Sequence, residues 1–428
     1  MKNHPAISPV EKATFSFYDV LWRAVLPFLR KNRRLAEGFE SRVLEKPLKG
    51  NADLWIQAAS AGEAYLAGEI INTLPHHRRL DAVLTTNTRQ GKEILDRAVT
   101  DLKNRFDRVD VQVAYCPFDM PSIMTRTVGR VNPRLMVLLE TEIWPGLLLA
   151  LKQQGCPAVI VNGRLTEKSL TRYMIWPSLW RTLRPERILA ISRPDADRFG
   201  ALFGKKGVAT MPNIKFDRLQ EVRTDDDPVE NINAVIAPEA AFAVLGSVRR
   251  EEENEVGHLM RDLHTRRPRA VVGLFPRHLH RVDHWRKTLD RLRLPWELRS
   301  AVTGPVQPGR VVLWDVFGEL GSAYRRASAA FVGGSLAPLG GQNFLEPLVT
   351  GLTPVIGPHW KNFAWVGSQI VELGLVHQAE SWQDVSTFLA ACLDHPPEKR
   401  VVKKQAADYI GKRQGGTRAA CELILEYL

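Results

Sequence analysis

Glu63 closes the run Ala59-Ser60-Ala61-Gly62-Glu63, directly after the apolar stretch Leu54–Ala59. A carboxylate at the entrance to a helix, just past a buried strand, is placed to take a proton from a bound hydroxyl. The same carboxylate also suits a helix start for structural reasons, through the dipole. Farther on, residues 333–363 read GGSLAPLGGQNFLEPLVTGLTPVIGPHWKNF. An apolar run ending at Val332 stops at Gly333 and Gly334, and a second pair, Gly340 and Gly341, opens onto a helix-like segment with Asn343, Glu346 and Pro347. Strand, glycines and helix start is the order in which α/β proteins present free backbone N–H groups to a phosphate. A glutamate one turn into that helix can accept hydrogen bonds from ribose hydroxyls. The spacing therefore predicts a nucleotide-sugar pocket. Phe275-Pro276-Arg277-His278 adds a guanidinium suited to bidentate phosphate contact.

Other strand ends carry small or polar groups. Leu245-Gly246-Ser247 ends one run, and Trp314 to Leu320, with Gly318 and Glu319, ends another. In the first half Thr85-Thr86-Asn87-Thr88 offers hydroxyls, and Glu140-Thr141-Glu142-Ile143-Trp144-Pro145 offers two carboxylates. Several chemistries lose support. His278, His280 and His284 have no HExxH motif and no nearby cysteine, so no metal site is expected. There is no G-x-G-x-x-G fingerprint, no GxxxxGK[ST] loop and no G-x-S-x-G elbow. No cofactor is expected.

These groups need strands to present them. Short apolar runs alternate with helical patterns in two series. The first is Leu54–Ala59, Ala82–Thr86, Val109–Ala114, Leu135–Leu139, Ala158–Val161 and Ile188–Ile191; the second is Phe242–Leu245, Ala270–Phe275, Val311–Leu313, Ala330–Val332 and Pro354–Ile356. Continuous apolar runs are expected of parallel strands covered on both faces. Helical stretches such as Glu63–Leu74 and Glu251–His264 separate them. The pattern predicts an α/β protein of two doubly wound domains facing a central cleft, with ligands at the carboxyl ends of strands. Thr224–Pro228 (TDDDP) reads as the linker. The expected division is 35–223 for a first domain, 229–396 for a second, and 397–428 for a final helix crossing back to the first.

The chain has 428 residues, too many for one core, and is 44% apolar and 25% charged. Its formal charge of +12 favours anionic partners. The arginines do not alternate with aromatics as on a nucleic-acid face, so a phosphorylated substrate or an anionic lipid surface is the better reading. Four scattered cysteines form no CxxC pair and fit a reducing cytoplasm. No run is long and apolar enough to span a bilayer. Within residues 1–34, the segment FSFYDVLWRAVLPFLRKNRR (15–34) places Phe17, Val20, Leu21, Ala24, Val25 and Phe28 at helical spacing, with Trp22 and the basic tail Arg30, Lys31, Arg33 and Arg34. That is an interfacial-helix signature, interrupted by Pro27. A helix packed on the protein body gives the same pattern.

In order along the chain, WIQAASAGE (55–63), TTNTRQG (85–91), ETEIWPGLL (140–148), NGRLTEKS (162–169), PNIKFD (212–217), PRH (276–278), DVFGEL (315–320), FVGGSL (331–336), GGQNFLEP (340–347) and GPHWKNF (357–363) resemble the 3-deoxy-D-manno-octulosonic acid (Kdo) transferases of lipopolysaccharide assembly. The resemblance implies the two-domain GT-B fold, with an N-terminal acceptor-binding and a C-terminal nucleotide-sugar-binding domain. It implies inverting, metal-independent transfer of Kdo from CMP-Kdo to a lipid A precursor, on the cytoplasmic face of the inner membrane. By resemblance Glu63 is the general base, Arg277 holds the CMP phosphate, and Asn343 and Glu346 face the nucleotide. Ser247, Gly318, Glu319, Gly334 and Ser335 match flanking donor positions. The chain departs from the family pattern at Gln342, Asn87-Thr88-Arg89, Val248-Arg249-Arg250 and Ile191-Ser192. A GT-B relative using another nucleotide sugar or acceptor, or a non-catalytic membrane-associated paralogue, fits the same fold.

Overall fold

The computed structural model describes residues 7–75, 79–221 and 229–428, without the side chains of residues 33, 34, 220, 221 and 229–231. The expected linker Thr224–Pro228 and the side chains of Arg33 and Arg34 lie outside it. Two compact units result. One holds the described residues up to Arg218 together with Arg413–Leu428, and the other spans Leu219–Lys412.

The first unit is a parallel sheet of seven strands: β1 (Leu54–Ala58), β2 (Leu80–Thr86), β3 (Val109–Tyr115), β4 (Leu135–Leu139), β5 (Ala158–Gly163), β6 (Arg187–Ala190) and β7 (Val208–Thr210). Their order is β3-β2-β1-β4-β5-β6-β7, the doubly wound arrangement whose direction of progression reverses between β1 and β4. Both of those strands are buried along their whole length. Alternate residues feed opposite layers, as the two-residue strand period requires. Trp55, Met136, Leu138 and Ile160 join one core, and Leu54, Ile56, Val137, Leu139 and Val159 the other. The terminal helix Gly416–Leu425 adds Ala420, Leu423 and Ile424 to the second of these cores.

The second unit repeats the plan with β8 (Phe242–Val248), β9 (Val271–Pro276), β10 (Trp296–Leu298), β11 (Val311–Leu313), β12 (Ala329–Val332), β13 (Val355–Ile356) and β14 (His377–Gln378). The order is β10-β11-β9-β8-β12-β13-β14. Without the edge strand β10 this is the same doubly wound order, with its reversal between β8 and β12. The strands absent from the sequence reading, β7, β10 and β14, are all outermost in their sheets and partly exposed. An edge strand needs no two-sided apolar run, so periodicity does not reveal it.

The N-terminal helix runs Pro9–Leu29, earlier than the apolar stripe suggested, because Ser8 and Glu11 form a capping box and Pro9 takes the first turn. Pro27 lies inside it. Phe15 is buried, and Trp22, Leu26 and Leu29 pack on Phe118, Met120 and Ile123. The face read from the sequence as an apolar stripe points outward, with Phe17 69% and Phe28 73% exposed and Val20, Leu21 and Val25 beside them. Two aspartates fasten the inner face. Asp19 accepts from Ser122 N (2.7 Å) at the start of the helix Pro121–Val131. Tyr18 donates to Asp119 (3.3 Å), whose carboxylate accepts from Gly146 N (3.0 Å) and Leu147 N (2.8 Å) in the first turn of Pro145–Gln153.

Asp119→Ala strips that turn of its buried acceptor and leaves two N–H groups unpaired. The expected cost is about 2 kcal/mol, read as a lower midpoint in urea melts. An unchanged midpoint would contradict the capping role.

Candidate functional site

Glu63 follows β1 as the third residue of the helix Ala61–Thr73. Ser60 caps that helix, its Oγ accepting from Glu63 N at 3.3 Å. The Glu63 carboxylate folds back to accept from Ala59 N (2.7 Å) and Ser60 Oγ (2.9 Å). A glutamate serving only as a helix-start group has its charge stabilised by the dipole and a depressed pKa. Here the pKa is raised from 4.5 to about 7, first by burial, then by the charges of Glu142 and Glu140. The two hydrogen bonds offset only part of that rise. The group is thus poised near neutrality, as a general base should be.

Its acidic neighbours follow β4, the strand paired with β1 at the reversal point. Glu142 is 8% exposed. Its Oε2 accepts from Gln57 Nε2 (3.0 Å) and Trp144 Nε1 (2.8 Å). Behind it runs a buried chain in which Trp55 Nε1 donates to Thr85 Oγ1 (2.8 Å) and Thr85 Oγ1 donates to Gln57 Oε1 (2.5 Å). Glu140 pairs with Lys215 Nζ at 2.7 Å, so this lysine is committed to Glu140. Gln57 and Lys215 were missed as site residues. Gln57 did leave a signal, as a polar residue within the otherwise apolar LWIQA.

In the second unit the donor candidates divide into two groups. Arg277 follows β9, is exposed, and fixes its backbone by donating N–H to Val248 O (2.8 Å). Asn343 Nδ2 donates to Glu346 Oε1 (2.9 Å), while Asn343 Oδ1 accepts from Leu345 N (3.2 Å). Burial raises the Glu346 pKa, and both the Asn343 bond and the Arg277 charge hold it down. Arg277, Asn343 and Glu346 are therefore brought together.

Among the other candidates, Glu319, Ser335 and Gly334 have internal partners. Glu319 is gripped by Arg299 (2.7 and 2.9 Å) and by Trp314 Nε1 (2.8 Å). Gly318 sits exposed beside it at φ 90°. Ser335 is fully buried; its Oγ donates to Val332 O (2.7 Å) and accepts from Gly357 N (2.9 Å). Ser247 is the next-to-last residue of β8 and lies in the left-handed region, at φ 55°.

One expectation is corrected here. The glycine segment does not hold free N–H groups at Gly334 and Leu336, because both donate to Glu252 (2.6 and 3.4 Å). Gly341 and Gln342 donate to Gly334 O (2.7 Å) and Gly333 O (3.0 Å). Gly333 must be glycine, since a Cβ there would lie 2.5 Å from Glu252 Oε1 and 2.7 Å from Ser247 O. The histidines do not converge on a common point. His278 stacks on His280 with ring centroids 5.4 Å apart, and His284 lies 3.1 Å from Glu253.

Comparison with known proteins agrees with this architecture. A glycosyltransferase from Rickettsia africae matches with a TM-score of 0.57 at 9% identity, over 88% of this chain and 99% of that one. A UDP-GlcNAc 2-epimerase from Neisseria meningitidis matches with a TM-score of 0.55 at 15% identity, over 87% and 98%. At such identities these likenesses concern the fold, and the two doubly wound parallel sheets define a protein of the GT-B class. Residues 31–218 match the family model for 3-deoxy-D-manno-octulosonic-acid transferase. The chain is 29% identical over 402 residues to the 3-deoxy-D-manno-octulosonic acid transferase of Bordetella pertussis, with 88% of each covered. It is 27% identical over 409 residues to that of Haemophilus influenzae, covering 93% of this chain and 92% of the relative. Over most of its length the chain is therefore similar to Kdo transferases, glycosyltransferases of lipopolysaccharide biosynthesis, and its first unit carries the match to their family model.

The Glu63 environment has a measurable consequence. Between pH 4.5 and about 7 the folded protein keeps a proton that the unfolded chain has released. Stability carried by this group is therefore full at low pH and falls as pH rises through that window. Glu63→Gln removes the dependence. The variant should melt above the wild type at pH values beyond about 7 and beside it below 4.5; parallel melting curves across the range would exclude a raised pKa.

Proposed function

We propose that the protein transfers Kdo from CMP-Kdo to a phosphorylated, acylated lipid A precursor, with inversion and without a metal. The observation that carries this reading is the half-buried Glu63, brought near neutrality by burial and then by the charges of Glu142 and Glu140 at the reversal point of its sheet. In the proposed step an acceptor hydroxyl attacks the anomeric carbon of Kdo. Glu63 takes the hydroxyl proton, the new C–O bond forms, and the bond from the anomeric carbon to the phosphate oxygen breaks. CMP leaves with that electron pair, and the Arg277 guanidinium meets its charge. Asn343 and Glu346 face the ribose side. Ser247, Gly318, Glu319, Gly334 and Ser335 form the frame of the donor site, a role that the internal bonding of Glu319, Gly334 and Ser335 supports. The first unit supplies the base and binds the acceptor; the second holds the donor.

The membrane part of the reading rests on the helix Pro9–Leu29. Its outward face carries Phe17, Val20, Leu21, Val25 and Phe28, and Arg23, Arg30 and Lys31 are exposed on and after it. An apolar face flanked by cations suits an anionic membrane surface, where the acylated acceptor resides. Among the described residues no helix is long and apolar enough to cross a membrane. The location proposed is therefore peripheral, on the cytoplasmic face of the inner membrane.

Glu63→Ala should reduce CMP release from CMP-Kdo in the presence of acceptor by on the order of a hundredfold or more, while calorimetric CMP binding persists. Arg277→Ala should weaken that binding on the order of tenfold. CMP should also bind more tightly than UDP or GDP. Full transfer by the Glu63 variant rejects the base, and preference for UDP or GDP rejects the donor.

Phe17→Ser combined with Phe28→Ser should release the protein from anionic vesicles in co-sedimentation, lowering partitioning by on the order of tenfold or more. Unchanged sedimentation would rule out this face as the membrane contact.

A further inference from the structure

Glu251, Glu252 and Glu253 are adjacent and take three directions. Glu251 lies 3.8 Å from Arg249. Glu253 pairs with Arg281 (2.5 Å) and His284 (3.1 Å). Glu252 turns inward and has no exposure. Its Oε1 accepts from Arg249 N (2.8 Å) and Gly334 N (2.6 Å), and its Oε2 from Leu336 N (3.4 Å). The Ser335 backbone donates to it as well. Successive backbone N–H groups closed around one anion form the nest in which proteins commonly hold a bound phosphate. Here the anion is covalently the protein's own.

Both donor-side elements hang from this carboxylate. Through Gly334 it fixes the glycine segment, and Gly341 N to Gly334 O (2.7 Å) and Gln342 N to Gly333 O (3.0 Å) carry that position directly to Asn343. Through Arg249 N it fixes the end of β8. There Val248 O receives the Arg277 N–H at 2.8 Å. Gly333 N donates to Gly246 O (2.8 Å), closing the loop between the two strand ends.

We infer that Glu252 is a positioning residue for donor binding, an internal anion around which the glycine segment folds and which sets Arg277 and the Asn343–Glu346 pair at their working separation. The inference rests on the reading that these three residues hold the donor. Removing the carboxylate leaves a buried nest of unpaired donors, so the segment should loosen. The vacated space has the shape and the hydrogen-bond donors for a small planar carboxylate, and buried cavities of that kind take up small ligands. Generic destabilisation would not be reversed by such an ion.

The test uses Glu252→Ala in the full chain, in chloride and in formate at equal ionic strength. CMP titration is read beside amide hydrogen exchange over residues 333–342. CMP affinity should fall on the order of tenfold, the Gly334 and Leu336 amides should exchange faster, and formate should restore both without affecting the wild type. Unchanged affinity and exchange, or losses that formate does not reverse, overturn the inference. If the wild type fails to bind CMP, the donor reading is at fault, and the exchange measurement still decides whether Glu252 holds the segment. Should the alanine variant not fold, Glu252→Gln fills the nest with an amide that opposes the N–H donors. It should show the same loosening and weaker CMP binding without formate rescue, and wild-type behaviour would overturn the inference.

Discussion

A parallel sheet covered on both faces leaves its chemistry only one place to go, the carboxyl ends of its strands. Every other position along β1 and β4 is buried, and a carboxylate there would face the full cost of desolvation. At the strand ends a group is half dehydrated and still reachable. The reversal of winding adds a second condition, because the connections leaving β1 and β4 depart to opposite sides and leave their ends uncovered. Glu63 and the pair Glu140 and Glu142 meet there. Burial first, then the charges of Glu142 and Glu140, raises the proton affinity of Glu63, and burial with the Glu140 charge raises that of Glu142; the nearby cation, Lys215, is bonded to Glu140.

The same topology serves the opposite electrostatic purpose in the second unit. Its reversal point also collects a carboxylate, yet Glu252 is wrapped by backbone donors and wholly buried. Glu63 has one backbone donor and one hydroxyl, and stays half exposed. The number of fixed donors separates the two roles. A carboxylate whose lone pairs are filled by rigid N–H groups suits a structural role, and one left short of donors among like charges suits the base proposed here. The cation proposed to meet the donor phosphate, Arg277, is exposed, and among the described residues its anchor is the backbone bond to Val248.

Much of this was legible in the amino-acid order, and the illegible part has a physical cause. Runs such as LMVLL announce buried parallel strands, and Glu63 and Arg277 follow such runs directly. What sequence cannot display is which strand ends become neighbours. Beyond burial, the rise in the Glu63 pKa comes from Glu142 and Glu140, which arrive because β4 pairs with β1. Glu252 was hidden inside an acidic run that reads as an ordinary helix start, although its inward turn reassigns the very N–H groups that glycine spacing had promised to a phosphate. The N-terminal stripe was read correctly as apolar. Its direction was open, because polar anchors on the other face, Asp19 and Tyr18, do the docking.

Three of these strand ends also carry backbone strain. Glu140, Asn162 and Ser247 are non-glycine residues at φ between 53° and 55°, directly after β4, within β5 at its carboxyl end, and near the end of β8. Such conformations persist only where the surroundings over-determine them. Glu140 is held by its N–H bond to Val161 O and by Lys215. Asn162 is fully buried and accepts from Ile214 N at 2.9 Å, in the segment that also carries Lys215. The acidic cluster is therefore stiff before any substrate arrives. A stiff cluster incurs its desolvation and repulsion when the chain folds, not when the acceptor reacts. In the proposed reaction the rise in Glu63 basicity is then already in place at the moment of proton transfer, which is the condition under which a preorganised electrostatic environment lowers a barrier.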